Sequence, residues 1–220
     1  MHFTGHNTGI GNNSMNKLTT GSHNISVGAD NANTLKTGNN NIIIGYNSGT
    51  GIVSGSYNTI LGGNISGLSS GTSNNIILGD GRGNQRIRVT KNGNVGIGTS
   101  TTTFKLTVNG SIGQMASNTA LHPDYVFEQY FDKKSAYNPS YRRYSLEEIE
   151  IFIRKHKYLP GVQSRAMIEA EQSWNVSENV RTNLEKIEEL YLHTIEQEKK
   201  IQKLMERLML LEQQIKKQKR

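Results

Sequence analysis

The fold class the sequence predicts is mainly β in its N-terminal half, a stacked-repeat β-roll or solenoid. A small α/β knob follows, then a long α-helical coiled coil. Two periodicities and one change of composition predict it. Asn7, Asn24, Asn41, Asn58 and Asn75 recur every seventeen residues without insertion or deletion, and four residues after each stands Gly11, Gly28, Gly45, Gly62 or Gly79. A heptad pattern runs through the last forty or so residues, and most of the aromatic residues lie between these two regions. Self-similarity at a fixed period means stacked units sharing one core.

The repeat unit is too short for a pair of helices, and it is rich in Gly, Asn, Ser and Thr, which favour turns. The residue before each ladder glycine is aliphatic (Ile10, Val27, Ile44, Leu61, Leu78). A small residue opens each unit (Thr4, Gly21, Gly38, Gly55, Thr72). Leu18, Leu35 and Ile52 form a third column that slips by one to Leu68. Runs such as Ile42-Ile43-Ile44 read as strands of about four residues closed by a glycine turn, with two strands and two turns per coil. Coils stacked about 4.8 Å apart bring the asparagines over one another as a ladder of side-chain amides. The shaft is expected over residues 1–83. No capping element precedes Thr4, so an upstream protein segment is expected against that end.

Over residues 84–113 the residues alternate, as in Arg86-Ile87-Arg88-Val89 and Phe104-Lys105-Leu106-Thr107-Val108, which predicts half-buried strands of a β-neck. Asn92, Val95 and Gly96, then Asn109, Ile112 and Gly113, keep the seventeen-residue count. Asn92-Gly93 and Asn109-Gly110 are read as hairpin-type turns. The knob is expected over 114–175, opening with a linker over 114–121. Within it Ser145 and Glu148 form a capping box that starts a helix presenting Ile149, Phe152 and Ile153, and Pro160-Gly161 lies beyond its end. Trp174 is expected to pack the join with the helix that follows.

Residues 176–220 read as a coiled coil. With Val180 at a, the a positions continue as Ile187, Thr194, Ile201, Leu208 and Ile215. The d positions are Asn183, Leu190, Gln197, Leu204, Leu211 and Gln218. Ile at a with Leu at d leans towards two parallel strands, whereas apolar Leu184, Tyr191 and Met205 at e widen the face and suit three. The expectation is an elongated homotrimer.

Composition narrows the function classes. Hydrophobic residues make up 34% of the chain, below the usual share of a globular domain, so thin modules are expected. There is no cysteine, hence no disulfide scaffold and no thiolate metal site. No apolar run reaches membrane-span length, and the N-terminus has no secretory pattern. The net charge is +7, but no basic stripe with interleaved aromatics argues for nucleic acid. Arg82, Arg86, Arg88 and Lys91 are read as a solvated strand edge. His6 and His23 share a repeat column; with two in register and no carboxylate beside them, a polar surface column is expected rather than a metal site. Asp30 and Asp80 are too sparse for Ca²⁺. The Thr columns are too broken for ice binding, and the paired carboxylates of a glycosidase are absent. No cofactor is expected.

Two resemblances add to this reading. The Asn-x-x-aliphatic-Gly ladder of residues 4–83 resembles the left-handed β-roll heads of trimeric bacterial surface adhesins. The stretch from Asn92-Gly93-Asn94-Val95-Gly96-Ile97-Gly98 through Phe104-Lys105-Leu106-Thr107-Val108-Asn109-Gly110-Ser111-Ile112 resembles the neck of bacterial tail-fibre-domain proteins. So do Pro123-Asp124-Tyr125-Val126-Phe127, Ser145-Leu146-Glu147-Glu148, Leu159-Pro160-Gly161-Val162 and Lys186-Ile187-Glu188-Glu189-Leu190. The resemblance implies a non-enzymatic homotrimeric fibre, the receptor-binding tail fibre of a phage or phage-like contractile particle. Its partners would be an upstream fibre or baseplate protein and a glycan or protein receptor, and its location a virion, a phage-like particle or the extracellular surface. A trimeric cell-surface adhesin is the alternative. A third is a fibre with a self-cleaving C-terminal chaperone using a Ser–Lys pair. For that pair Ser135 with Lys133 or Lys134, and Ser145, are the nominees, and a turn serine and an N-cap are their plainer readings.

Overall fold

A computed structural model describes residues 5–113 and 122–218. The opening Thr4 and the linker over 114–121 lie outside these. The chain divides into two compact units, residues 1–113 and 114–220.

The first unit holds one eight-stranded sheet in sequential order. Strands β1 (Thr8–Ile10), β2 (Ile25–Val27), β3 (Ile42–Ile44), β4 (Thr59–Leu61) and β5 (Ile76–Gly79) pair in parallel. Their register is Thr8↔Ile25↔Ile42↔Thr59↔Ile76, one coil per strand and about four turns of solenoid. The expected second strand per coil is absent among the described residues. Left-handed residues such as Asn13, Met15, Asp30, Ala32, Asn47 and Asn64 punctuate that side and break a continuous strand. Coils nevertheless bond there too, through Met15 N–H to Asn31 O (2.9 Å) and Ala32 N–H to Ser48 O (2.8 Å).

The core of the roll is a strip of side chains from each coil: Ile43, Ile60 and Ile77 from the strand centres, with Leu35, Ile52, Leu68, Met15, Ala32 and Ile65. Each fully buried Ile or Leu contributes roughly 1.5–3 kcal/mol of transfer free energy. The third column, slip included, is therefore core.

The repeat asparagines stack as a ladder. Asn24, Asn41 and Asn58 each donate through Nδ2 to Oδ1 of the preceding asparagine at 2.9–3.0 Å. They also donate to a carbonyl of the next coil, Asn24 to Gly38 O (2.8 Å) and Asn41 to Gly55 O (2.9 Å). The glycines are required by this closeness: at Gly28, with φ +122°, a Cβ would collide with the carbonyl oxygen of Gly45. Two further ladders keep the same seventeen-residue spacing with mixed Asn and Ser residues. Ser48 N–H donates to Asn31 Oδ1 and Ile65 N–H to Ser48 Oγ inside the roll. Ser22 N–H to Asn39 Oδ1, Asn39 N–H to Ser56 Oγ and Ser56 N–H to Ser73 Oγ form the other.

Beyond β5 the chain reverses. Asp80 Oδ1 accepts from the N–H groups of Arg82 (2.9 Å) and Asn84 (3.1 Å), and Oδ2 accepts from Arg86 (2.6 Å). The Asn84 amide, the Arg82 N–H and the Arg86 guanidinium hold the Asp80 carboxyl well below the usual carboxylate range. Strand β6 (Gln85–Val89) then runs antiparallel to β5, and β7 (Val95–Ile97) antiparallel to β6. The Asn92-Gly93 turn joins β6 and β7 as a hairpin, with Thr90 N–H on Asn94 O at 2.9 Å. Strand β8 (Leu106–Val108) is parallel to β7 and is the last of the sheet, so Asn109-Gly110 is not a hairpin. The seventeen-residue count through Asn92 and Asn109 likewise does not continue the stack, because the reversal at Asp80 puts Val95 beside Val89.

The second unit is helical: α1 (Tyr125–Phe131), α2 (Leu146–His156), α3 (Arg165–Glu171) and α4 (Val176–Gln218). The α/β knob expected here has no strand among its described residues. Of the aromatic residues that suggested one, Tyr125, Tyr130 and Tyr141 pack with Val126 and Leu192, whereas Phe127, Phe131 and Tyr137 are exposed. The Ser145–Glu148 capping box is present in both directions. Ile149 and Phe152 are half-buried and Ile153 is 38% exposed, and α2 buries no residue. Trp174, 49% exposed, does not pack the join.

Candidate self-association surfaces

Parity along the strands decides what the roll presents to the outside. The centre residue of each strand points into the core, so its two neighbours point out. One outward column reads Thr8, Ile25, Ile42, Thr59, Ile76, Val89, Val95, Leu106. The other reads Ile10, Val27, Ile44, Leu61, Leu78, Ile87, Ile97, Val108. Every member except Thr8 and Thr59 is aliphatic, and every one is exposed or half-buried. Residues directly opposite keep the same side in parallel and antiparallel pairs alike, so the chain reversal does not interrupt the face. The result is one apolar surface crossing all eight strands. An exposed apolar surface of this continuity is unusual for a soluble monomer.

Sequence reasoning read the aliphatic residue before each glycine as part of a strand, without assigning it to the outside. The signal was present: in Ile42-Ile43-Ile44 all three positions are apolar, where a strand with one wet face would alternate.

Helix α4 shows the same division. The side packed on the rest of its unit is the polar one: Asn179, Thr182, Glu188, Glu189 and His193 are buried with Leu192. Arg181 donates to Tyr125 Oη (2.8 Å), Tyr125 in turn donates to Glu185, and Tyr141 donates to Glu189 Oε1 (2.7 Å). Burial and the neighbouring Glu185 carboxylate push the Tyr125 hydroxyl up to about 12. Burial and Glu189 push Tyr141 up as well. Arg143 donates to Glu196 Oε1 (2.7 Å), and its guanidinium lies 5.0 Å from the Tyr130 ring.

The predicted coil-core residues lie away from that buried side, although Ile187 and Leu190 also line a groove with Leu146, Ile149 and Leu159. Val180, Ile187, Leu190, Ile201, Leu204, Leu208, Leu211 and Ile215 are 47% to 65% exposed, and Thr194 and Gln197 are exposed with them. A bare helix of 43 residues, roughly 65 Å long, gains no packing from an apolar stripe left in water.

The other nominated residues are placed as follows. Ser135 Oγ donates to Glu128 Oε2 (2.6 Å) and accepts the N–H of Tyr137, whereas Lys133 Nζ donates to Tyr130 O (2.7 Å), so this pair is not brought together. Ser145 caps α2. His6 and His23 stack at 5.2 Å in left-handed turn conformation. Arg86 is tied to Asp80, and Arg88 points towards the core side, level with Ile77. Among the described residues no helix is long and apolar enough to cross a membrane.

No family model, curated protein or solved structure matches the chain.

Proposed function

We propose that the chain is a structural and adhesive fibre protein that works as a parallel homotrimer, the receptor-binding tail fibre of a phage or phage-like contractile particle. The observation that carries the reading is the pair of uncovered apolar surfaces, one across β1–β8 and one along α4. Both have the character of a core cut open. Copies aligned in parallel can bury each of them, because the strand columns repeat along one direction and so do the heptads. Apolar Leu184, Tyr191 and Met205 beside the a and d positions widen the helical face, which suits three helices. The fibre assignment itself rests on the motifs of the neck and the second unit. In this reading the trimer multiplies weak receptor contacts, so attachment strength comes from avidity. An upstream fibre or baseplate protein carries the N-terminal end.

Solution molar mass by light scattering at two concentrations tests the assembly, with electron micrographs of the same sample. The expected result is a concentration-independent mass of three chains and thin rods. A monomer would sink the reading.

A further inference from the structure

At the end of the roll a cleft of about 380 Å³ lies between the turn that precedes β5 and the β6–β7 hairpin. Its side chains are hydroxyls such as Ser69, Thr72 and Thr102, amides such as Asn92, and two cations, Arg88 and Lys91. No carboxylate and no aliphatic or aromatic side chain lines it. We propose that this cleft binds an acidic saccharide, with Arg88 and Lys91 meeting its carboxylate or sulfate and the hydroxyls and amides meeting its hydroxyl groups.

Four observations carry the assignment. First, the Arg88 guanidinium is held in place, with Nε on Asn75 Oδ1 (3.1 Å) and Nη1 on Gln85 Oε1 (3.4 Å), which leaves Nη2 free of any described residue. A guanidinium fixed before the ligand arrives loses little entropy on binding a planar anion. Second, the described part of the first unit has two carboxylate side chains, and both are engaged elsewhere: Asp80 with Arg86 at 2.6 Å, Asp30 with Asn13 at 3.0 Å. The two cations of the cleft therefore have no counter-charge within the described part of the first unit.

Third, Arg88 is level with Ile77 and Gly96 in the strand register, on the core side of the sheet and opposite the two apolar columns. Self-association through those columns leaves the cleft open. Fourth, the lining selects among ligand classes. Nucleic-acid strands are held by aromatic stacking as well as charge, and none lines the cleft. A lipid or peptide anchor needs apolar walls. The volume is at the lower end for small-ligand sites and takes one or two sugar rings.

This inference rests on the fibre reading, since receptor contact is that reading's task. The test is calorimetric titration of the full chain with oligogalacturonate and with chondroitin sulfate oligosaccharide. Neutral dextran and a single-stranded oligonucleotide serve as controls. Lys91 is exposed in the hairpin turn, so Lys91→Glu leaves the fold intact, as circular dichroism would verify. The expected result is binding of at least one acidic saccharide, none of dextran, and a loss of roughly tenfold or more in Lys91→Glu. Three results would each overturn the assignment: no binding of either acidic saccharide, binding unchanged in Lys91→Glu, or stronger binding of the oligonucleotide. Light scattering on the same samples separates the two readings. A trimer without saccharide binding removes the cleft assignment alone, and a saccharide-binding monomer removes the fibre reading alone.

Discussion

Arg88 donates from Nε to Asn75 Oδ1 at 3.1 Å, taking the place that a further asparagine would occupy in the ladder. Below it, Asn58 Oδ1 accepts the Asn75 N–H at 3.1 Å, and Asn41 Oδ1 accepts from both the N–H and Nδ2 of Asn58. Level with Ile77, Arg88 also stands where a further coil would place its core isoleucine. One side chain thus closes both the polar ladder and the apolar column.

An internal member of the ladder and its cap should differ in cost. Asn41→Leu removes both Nδ2 bonds and leaves Gly55 O and Asn58 N–H buried without partners, which costs about 3 kcal/mol. Arg88→Met removes two partly exposed bonds, to Asn75 and to Gln85, and should cost about 1 kcal/mol. Urea midpoints of the two variants measure the difference; equal losses would contradict the capping role.

Glycine is needed where coils touch and dispensable where they do not. Gly28→Ala forces a Cβ against the Gly45 carbonyl at φ +122°, and at least about 3 kcal/mol of stability should be lost. Gly81→Ala meets nothing within 4 Å and should stay within about 0.5 kcal/mol of the parent in thermal melts.

Strand parity makes neighbouring isoleucines separable. Ile43→Ala opens a cavity in the roll and should cost about 2–4 kcal/mol without altering the assembly. Ile42→Glu with Ile44→Glu places charges on the outward columns and should lower the molar mass below that of the proposed trimer, with the strand content of circular dichroism retained. Ile43→Ala lowering the mass while the double variant does not would reverse the assignment of faces.

Glu188 on α4 is buried, with Oε2 unpartnered among the described residues. Burial raises its pKa, helped by the carboxylates of Asp124 and Glu185. With the folded value above the unfolded one of about 4.3, the stabilisation from protonation is complete below that value. It is lost as pH rises through the raised folded value. Glu188→Gln should therefore stabilise the protein at pH 7, on the order of 1 kcal/mol. The gain should vanish near pH 4. Thermal melts across that range check the sign.

The sequence by itself determined the stacking. A strict seventeen-residue register leaves each asparagine and each strand one place to go, over its predecessor, and a seven-residue register does the same for the apolar stripe of α4. The capping box was legible for a similar reason, since Ser145 and Glu148 meet within one helical turn. The end of the stack was not legible: Asn92 and Asn109 kept the count, but the carboxylate of Asp80 gathered the N–H groups that turn the chain back. Nor could the sequence say that the knob would be helical, because aromatic residues pack in either secondary structure. Only the tertiary structure decided which apolar residues face water. In Ile42-Ile43-Ile44 all three are equally hydrophobic, and the closed coil has room inside for the middle one. In α4 the rest of its unit claims the polar side through the Tyr125 and Tyr141 hydroxyls, and the apolar stripe stays outside.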